Sequence, residues 1–306
     1  RNLPAGGCEV CRKAHADPPG TNKNVRGNPG LLLLVDGAAD GRRRHIQFDA
    51  GKTFLQSAKR IYPAHGVPYL DAVVITHDHA DATFGLDDLR NVQRGMLPVF
   101  LSWQTFQFVA KSFTYLMHAN PVPEFVGAGR HVQPQVAHML GKPPGKAPDT
   151  FVASLQWNVL AWPKVGEPFE PVDVAGVDIT PFPVFHGETF LSLGFAMGRD
   201  KKKFVYISDV SRVPESVMDK LLEWDIEYLV IDTLHPELEY PSHMSLIQSL
   251  EIIERLRPKK TLLVGVSHKF DHEPANAELA KLRESKGLDV QIAFDGQELH
   301  LEGVAV

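Results

Sequence analysis

Short runs of aliphatic and β-branched residues recur along the chain, each long enough for one strand, and many are followed by segments with apolar positions at helical spacing. The runs predict strands over Leu31–Val35, His45–Phe48, Ala72–Thr76, Pro98–Leu101, Leu155–Leu160 and Val177–Phe185. Further strands are expected over Leu191–Ala196, Phe204–Ser208, Tyr228–Ile231, Thr261–Val266, Val290–Phe294 and Glu298–Leu301, with Asp36-Gly37 and Asp295-Gly296 as hairpin signals. Helical periodicity falls on Phe54–Ile61, Trp103–Lys111, Pro214–Leu222, Ser245–Leu256 and Ala275–Ser285. Proline opening the third of these and Gly287 closing the last agree with helix ends. Strands come first, then strand–helix alternation, then a strand pair. That order suits an α/β sandwich of two mixed β-sheets with helices outside. The 306 residues fit one such domain spanning 1–306. Ala119–Thr150, rich in proline and glycine and weakly periodic, reads as a long loop or insertion, either a lid near an active site or a plain surface excursion.

Composition narrows the class. An apolar share of 43% is ordinary for a protein with a sizeable core. A net charge of −5 leaves no broad basic field, which argues against nucleic acid as the partner. Arg42-Arg43-Arg44 and Lys201-Lys202-Lys203 read as solvated turns. Two cysteines, Cys8 and Cys11, are too few for a disulfide framework, so a reducing, cytoplasmic setting is expected. No apolar run is long enough to span a membrane, and the opening Arg-Asn-Leu-Pro has neither a signal-peptide core nor an initiator methionine.

The chemistry-bearing residues gather at strand ends. After the apolar run Val73-Val74-Ile75, the chain presents His77, His79 and Asp81 at alternate positions. Imidazole and carboxylate are the donors zinc prefers, and alternate residues leaving a strand point the same way. A second strand-end histidine, His186, closes Phe182-Pro183-Val184-Phe185, and a strand-end aspartate, Asp209, closes Val205-Tyr206-Ile207-Ser208.

The run Thr76-His77-Asp78-His79-Ala80-Asp81 resembles the H-x-H-x-D-H signature of the metallo-β-lactamase superfamily, with Ala82 in place of its last histidine. The resemblance implies that superfamily's αββα sandwich. Cys8-x-x-Cys11, Asn24 to Pro29, Gly85 to Arg90, Ser242-His243, and Pro258-Lys259-Lys260-Thr261 with His268 to His272 extend it. Together they resemble the phosphoribosyl cyclic phosphate phosphodiesterase branch and its eukaryotic relatives, over nearly all the chain except Ala119–Thr150.

The resemblance implies a first metal, Zn or Mn, held by His77, His79, His186 and Asp209. A second position keeps only Asp81 and a share of Asp209, because Ala82 and Gly265 stand where the branch has histidines. Either the site is mononuclear, or a local substitute such as Asp271, His272 or His243 enters near the second position; a second metal that is weak or absent is expected. Two carboxylates would suit an exchangeable Mn²⁺ or Mg²⁺ there. The resemblance further implies a structural zinc at Cys8, Cys11 and His268, one ligand short of the usual four. Two reduced, metal-free cysteines in a loop are the plain alternative.

The implied reaction is hydrolysis of a small, cyclic or linear, phosphodiester by metal-activated water. Asp81 would orient or deprotonate the water, and His243 would act as general acid, with a structural histidine at a helix start as its alternative. Arg26 and Arg90 would grip phosphate, unless they are ordinary surface or salt-bridge arginines. Rival readings are a tRNA 3′-processing nuclease of the RNase Z kind and a metal- or partner-binding protein on a decayed hydrolase scaffold. Thioester or lactam hydrolysis is open too, since fold does not fix substrate. A small-molecule substrate is expected and a membrane partner is not; a homodimer stays open.

Overall fold

The computed structural model describes residues 7–16, 21–37, 40–117, 123–127, 152–161 and 170–301. They divide into two compact units, one holding the described residues up to Gly27 and from Phe182 onward, the other those between Asn28 and Pro181. Most of the expected insertion at 119–150 lies outside the described residues.

In the Asn28–Pro181 unit a mixed sheet has the order β1-β2-β3-β4-β6-β5. The strands are β1 (Leu31–Val35), β2 (Arg44–Phe48), β3 (Ala72–Val74), β4 (Leu97–Ser102), β5 (Glu124–Val126) and β6 (Leu155–Leu160). β1 and β2 run antiparallel, and every other neighbouring pair is parallel. The parallel strands are near-continuous hydrophobic runs, as strands covered on both faces must be. Helices α2 (Phe54–Ile61) and α4 (Trp103–Ser112) pack with this unit's elements, and the short α3 (Ala80–Thr83) follows β3. The core gathers Phe54, Ile75, Leu89, Val99, Phe106 and Trp157, all deeply buried. Ser102 caps α4 by accepting from the Thr105 amide, so the helix begins where its strand ends. β7 (Val172–Val174) pairs antiparallel with the start of β8 (Val177–Phe185).

In the other unit the order is β13-β12-β11-β10-β9-β8. β9 (Leu191–Met197) and β10 (Lys202–Ile207) are antiparallel; β10, β11 (Asp225–Asp232), β12 (Lys260–Val264) and β13 (Val290–Ile292) are parallel. Helices α5 (Glu215–Leu222), α6 (Leu246–Leu256) and α7 (His272–Lys286) flank it. A reciprocal Ser245–Gln248 capping box fixes the start of α6, and left-handed Gly287 closes α7. The fold is thus two mixed sheets flanked by helices. No helix among the described residues is long and apolar enough to cross a membrane.

The departures from the sequence pattern have local causes. β3 stops at Val74, before the expected Thr76, because the Thr76 amide donates to the Asp49 carboxylate instead of to a neighbouring strand. α7 starts at His272, three residues before the expected Ala275; Pro274 falls in the first turn, where a missing N–H costs nothing. Glu298–Leu301 forms no strand: Asp295 of the predicted hairpin accepts from the Gly27 amide, and the His300 carbonyl accepts from Tyr228 Oη. Cys8 and Cys11 lie not in a loop but at the start of an unforeseen helix, α1 (Glu9–Ala16).

Candidate active site

In the Asn28–Pro181 unit, His77 and His79 stand one residue apart just beyond β3, with ring centroids 4.7 Å apart and planes at 77°. His77 is buried and its orientation is relayed inward. Thr76 Oγ1 lies 3.0 Å from both Asp49 carboxylate oxygens and 2.8 Å from His77 Nδ1. A hydroxyl has one proton; with that proton donated to Asp49, the oxygen accepts from Nδ1–H of His77. Nε2 then carries the lone pair, the tautomer a metal ligand needs, assigned here from the hydrogen-bond network. Asp49 was not visible in the ligand pattern. The available signal was a polar residue directly after a strand, and it sits at φ 58°, a left-handed conformation aspartate tolerates better than most residues.

Asp81, one-third exposed at its side chain, holds Oδ1 3.6 Å from His77 Nε2. The approach of this loop to β2 depends on Gly51, whose added Cβ would lie 1.7 Å from the Asp81 carbonyl oxygen. Ala82, where the signature has histidine, is buried in the apolar core. Asp78 bonds with Gln104, and burial raises its carboxyl above the usual range. Arg90 pairs with Asp87 at 2.7 Å on the surface.

In the other unit the ends of β8, β10 and β11 bring His186, Asp209 and Asp232 to His243, which comes from the loop before α6. One ligand atom each of His186, Asp209 and His243 lies within 4.8 Å of the others. His186 Nδ1 donates to the Ser242 carbonyl at 2.6 Å, and the Asp209 carbonyl accepts from Ser192 Oγ at 2.8 Å. His243 Nδ1 lies 2.7 Å from Asp232 Oδ2 and 3.7 Å from Asp209 Oδ1. Asp232 is wholly buried. Burial pushes its carboxyl up to about 7, and the nearby Asp209 charge adds to that, while the His243 hydrogen bond pulls it down.

Asp232 also explains Gly265. A Cβ there would lie 2.5 Å from Asp232 Oδ1, and the residue sits at φ +70°. The space a longer side chain would need at 265 is filled by the carboxylate that backs His243. Sequence reasoning passed over Asp232, although it ends an apolar strand just as Asp209 does.

Asp271 and His272 belong to a different network. Asp271 accepts from Lys13 Nζ at 2.6 Å and Asn24 Nδ2 at 2.9 Å, and these bonds hold its carboxyl below the usual range. His272 bonds Asn276 at 3.0 Å and meets the edge of Phe294. Arg26 donates to the carbonyls of Ser267 and Phe270 rather than facing an open surface. The Cys8, Cys11 and His268 ligand atoms lie within 4.8 Å of one another. Cys8 Sγ is 3.3 Å and Cys11 Sγ 3.2 Å from His268 Nδ1. Hydrogen bonds from Cys11 lower the Cys8 thiol, whereas burial raises that of Cys11.

Among known structures, a diphosphatase of the PhnP family shares 23% identity at a TM-score of 0.67, covering 97% of this chain and 91% of that one. The short form of human tRNase Z shares 17% identity at a TM-score of 0.56, covering 90% and 93%. These likenesses carry the fold. Among curated proteins, an octanoyltransferase of Porphyromonas gingivalis is 24% identical over 272 residues, 89% of this chain but 44% of that protein, so this chain spans less than half its length. Residues 44–266, well over half of the chain, match the beta-lactamase superfamily domain. With the strand-end histidines and aspartates inside that span, the chain belongs to the beta-lactamase superfamily, whose members are generally metal-dependent hydrolytic enzymes.

Proposed function

We propose that the protein is a metal-dependent hydrolase of a small phosphodiester, cyclic or linear. The observation that carries this reading is the grouping of His186, Asp209 and His243 over a buried Asp232, since imidazole and carboxylate donors suit a zinc-like ion and a carboxylate-backed imidazole beside them suits proton transfer. His77 and His79 complete the proposed first ligand set with His186 and Asp209. When bound, such an ion supplies Lewis acidity toward a phosphoryl oxygen and a water acidified toward neutrality.

The chain's own residues do the rest. Thr76 and Asp49 hold His77 in its ligating tautomer, and the Ser242 carbonyl does the same for His186. Asp81 orients the attacking water and takes its proton. His243, held through Nδ1 by Asp232, presents Nε2 and protonates the departing oxygen. The grouping of His243 with His186 and Asp209 favours a second reading, in which His243 is itself a ligand. At the start of α1, Cys8 and Cys11 together with His268 offer three donors to a structural zinc.

The test is metal analysis of the purified protein joined to turnover of bis-p-nitrophenyl phosphate. About one firmly held active-site ion and activity that vanishes with chelator and returns with Zn²⁺ or Mn²⁺ are expected. His243→Ala keeping its metal while losing turnover supports the general acid; losing metal too supports the ligand role. A fully loaded protein inert toward phosphodiesters and esters would put the decayed-scaffold reading first.

A further inference from the structure

Outside the hydrolytic residues, one cluster carries chemistry that hydrolysis does not use. Cys8 is half-buried immediately before α1, and Cys11, one helical turn on, is 2% exposed. The Cys11 amide points at Cys8 Sγ at 3.5 Å, and the two sulfurs lie within 4.8 Å of each other. An i, i+3 pair whose first member precedes the helix can bring its sulfurs to bonding distance by side-chain rotation, without unwinding a turn. The arrangement has one accessible thiol and one shielded thiol beside it.

The surrounding contacts do not depend on the sulfurs. Lys13 and Asn24 hold Asp271, the His272 amide donates to Asn24 Oδ1, and Arg26 holds the carbonyls of Ser267 and Phe270. Lys23 pairs with Glu273 and lies over the Phe294 ring. Lys13, Lys23, Asn24 and Arg26 therefore stay tied to the 267–273 loop whatever bonds the thiols make. A change at the sulfurs acts on a folded protein and can be reversed.

We propose that Cys8 and Cys11 form a reversible redox pair, oxidised by small disulfides such as glutathione disulfide to an intramolecular Cys8–Cys11 bond. Cys8 sulfur attacks one sulfur of the oxidant, giving a mixed disulfide and one equivalent of glutathione thiol. Cys11 sulfur then attacks Cys8 sulfur, forming the Cys8–Cys11 bond and expelling the second glutathione. Two protons leave the cysteines on the two glutathione thiols; the pair is oxidised by two electrons and the glutathione disulfide reduced by two. The same sulfurs cannot then serve His268 as thiolate co-ligands, so oxidation and metal binding at this cluster exclude each other. Among the described residues the cluster has three donors, and an ion whose fourth position falls to an outside ligand is easier to displace than a closed four-donor one.

Trypsin places both cysteines in one peptide, Asn2–Arg12, which makes the outcome legible by mass. The purified protein is equilibrated in glutathione buffers of graded potential, quenched with an alkylating agent and digested, while a chromogenic chelator follows released zinc. The expected product is a peptide lighter by two hydrogens and blocked to alkylation, restored by dithiothreitol, with zinc released in step where zinc was present. Cys11→Ser should stop at the mixed disulfide on Cys8, and Cys8→Ser should react far more slowly, since the remaining thiol is buried. Two stable glutathione adducts on the wild-type peptide would overturn the proposal. So would a zinc-loaded pair that stays reduced across the whole range, which would make the cluster a structural metal site only.

Discussion

Asp232→Asn tests the active site at the residue that the ligand pattern alone did not reveal. The change keeps size and shape and removes the acid, raised by burial to about 7, that Nδ1 of His243 faces at 2.7 Å; at pH 8 that acid is mainly charged. A hydrogen bond to a charged partner contributes about 1.5–3 kcal/mol, against about 1 for a neutral one. The difference of about 0.5–2 kcal/mol at His243 corresponds to an effect of about two- to thirtyfold, its upper part within the 10–100-fold range usual for residues that back metal-site histidines. An asparagine can also offer N–H to Nδ1, which would turn the imidazole to the wrong tautomer and enlarge the loss. The assay pairs turnover of a phosphodiester with calorimetric titration of Zn²⁺ into metal-free protein. If His243 is the general acid, turnover falls, by up to about thirtyfold, with metal affinity little changed; if it is a ligand, both fall. Gly265→Ala should mimic the effect, because its Cβ would lie 2.5 Å from Asp232 Oδ1 and must displace that carboxylate. Wild-type turnover and affinity in Asp232→Asn would refute the argument that this carboxylate holds His243.

Other outcomes follow from the same geometry. His77→Ala should lose both bound metal and activity, whereas Asp81→Ala should lower turnover by about 10²-fold or more yet keep the first ion; metal analysis showing Asp81→Ala empty would reverse their roles. Gly51→Ala forces a Cβ to 1.7 Å from the Asp81 carbonyl oxygen and should cost about 3 kcal/mol in urea denaturation, with the His77–Asp81 loop displaced. Burial lowers the His272 pKa from 6.5, so the unfolded chain binds a proton the folded one resists. Unfolding free energy should therefore fall as pH drops below about 6.5, and His272→Gln should flatten that slope in denaturation curves at pH values either side of it. A slope unchanged by the substitution would place the proton uptake elsewhere.

Much of the fold was readable because it rests on local pattern. β1, β6 and β8 and helix α2 have the expected bounds, since aliphatic runs and helical periodicity act over a few residues. The strand-end positions of His77, His186 and Asp209 were legible for the same reason: a change from apolar to polar at a strand end marks where a backbone ladder stops and side chains become available. α1 escaped notice because its sequence, Glu-Val-Cys-Arg-Lys-Ala-His-Ala, is largely polar and has too few apolar positions to show a helical period. What the tertiary structure alone decided are pairings between residues far apart in sequence. Asp49 reaches Thr76 and, through it, His77; Asp232 reaches His243 and fills the space beside Gly265; and His268 meets Cys8 and Cys11. Asp271 likewise meets Lys13 and Asn24, and His272 meets Asn276, contacts that no local spacing announced. Sequence spacing sets which residue types leave a strand end. Which distant carboxylate then backs a given imidazole depends on how parallel strands align their ends, and that register is a property of the folded sheet.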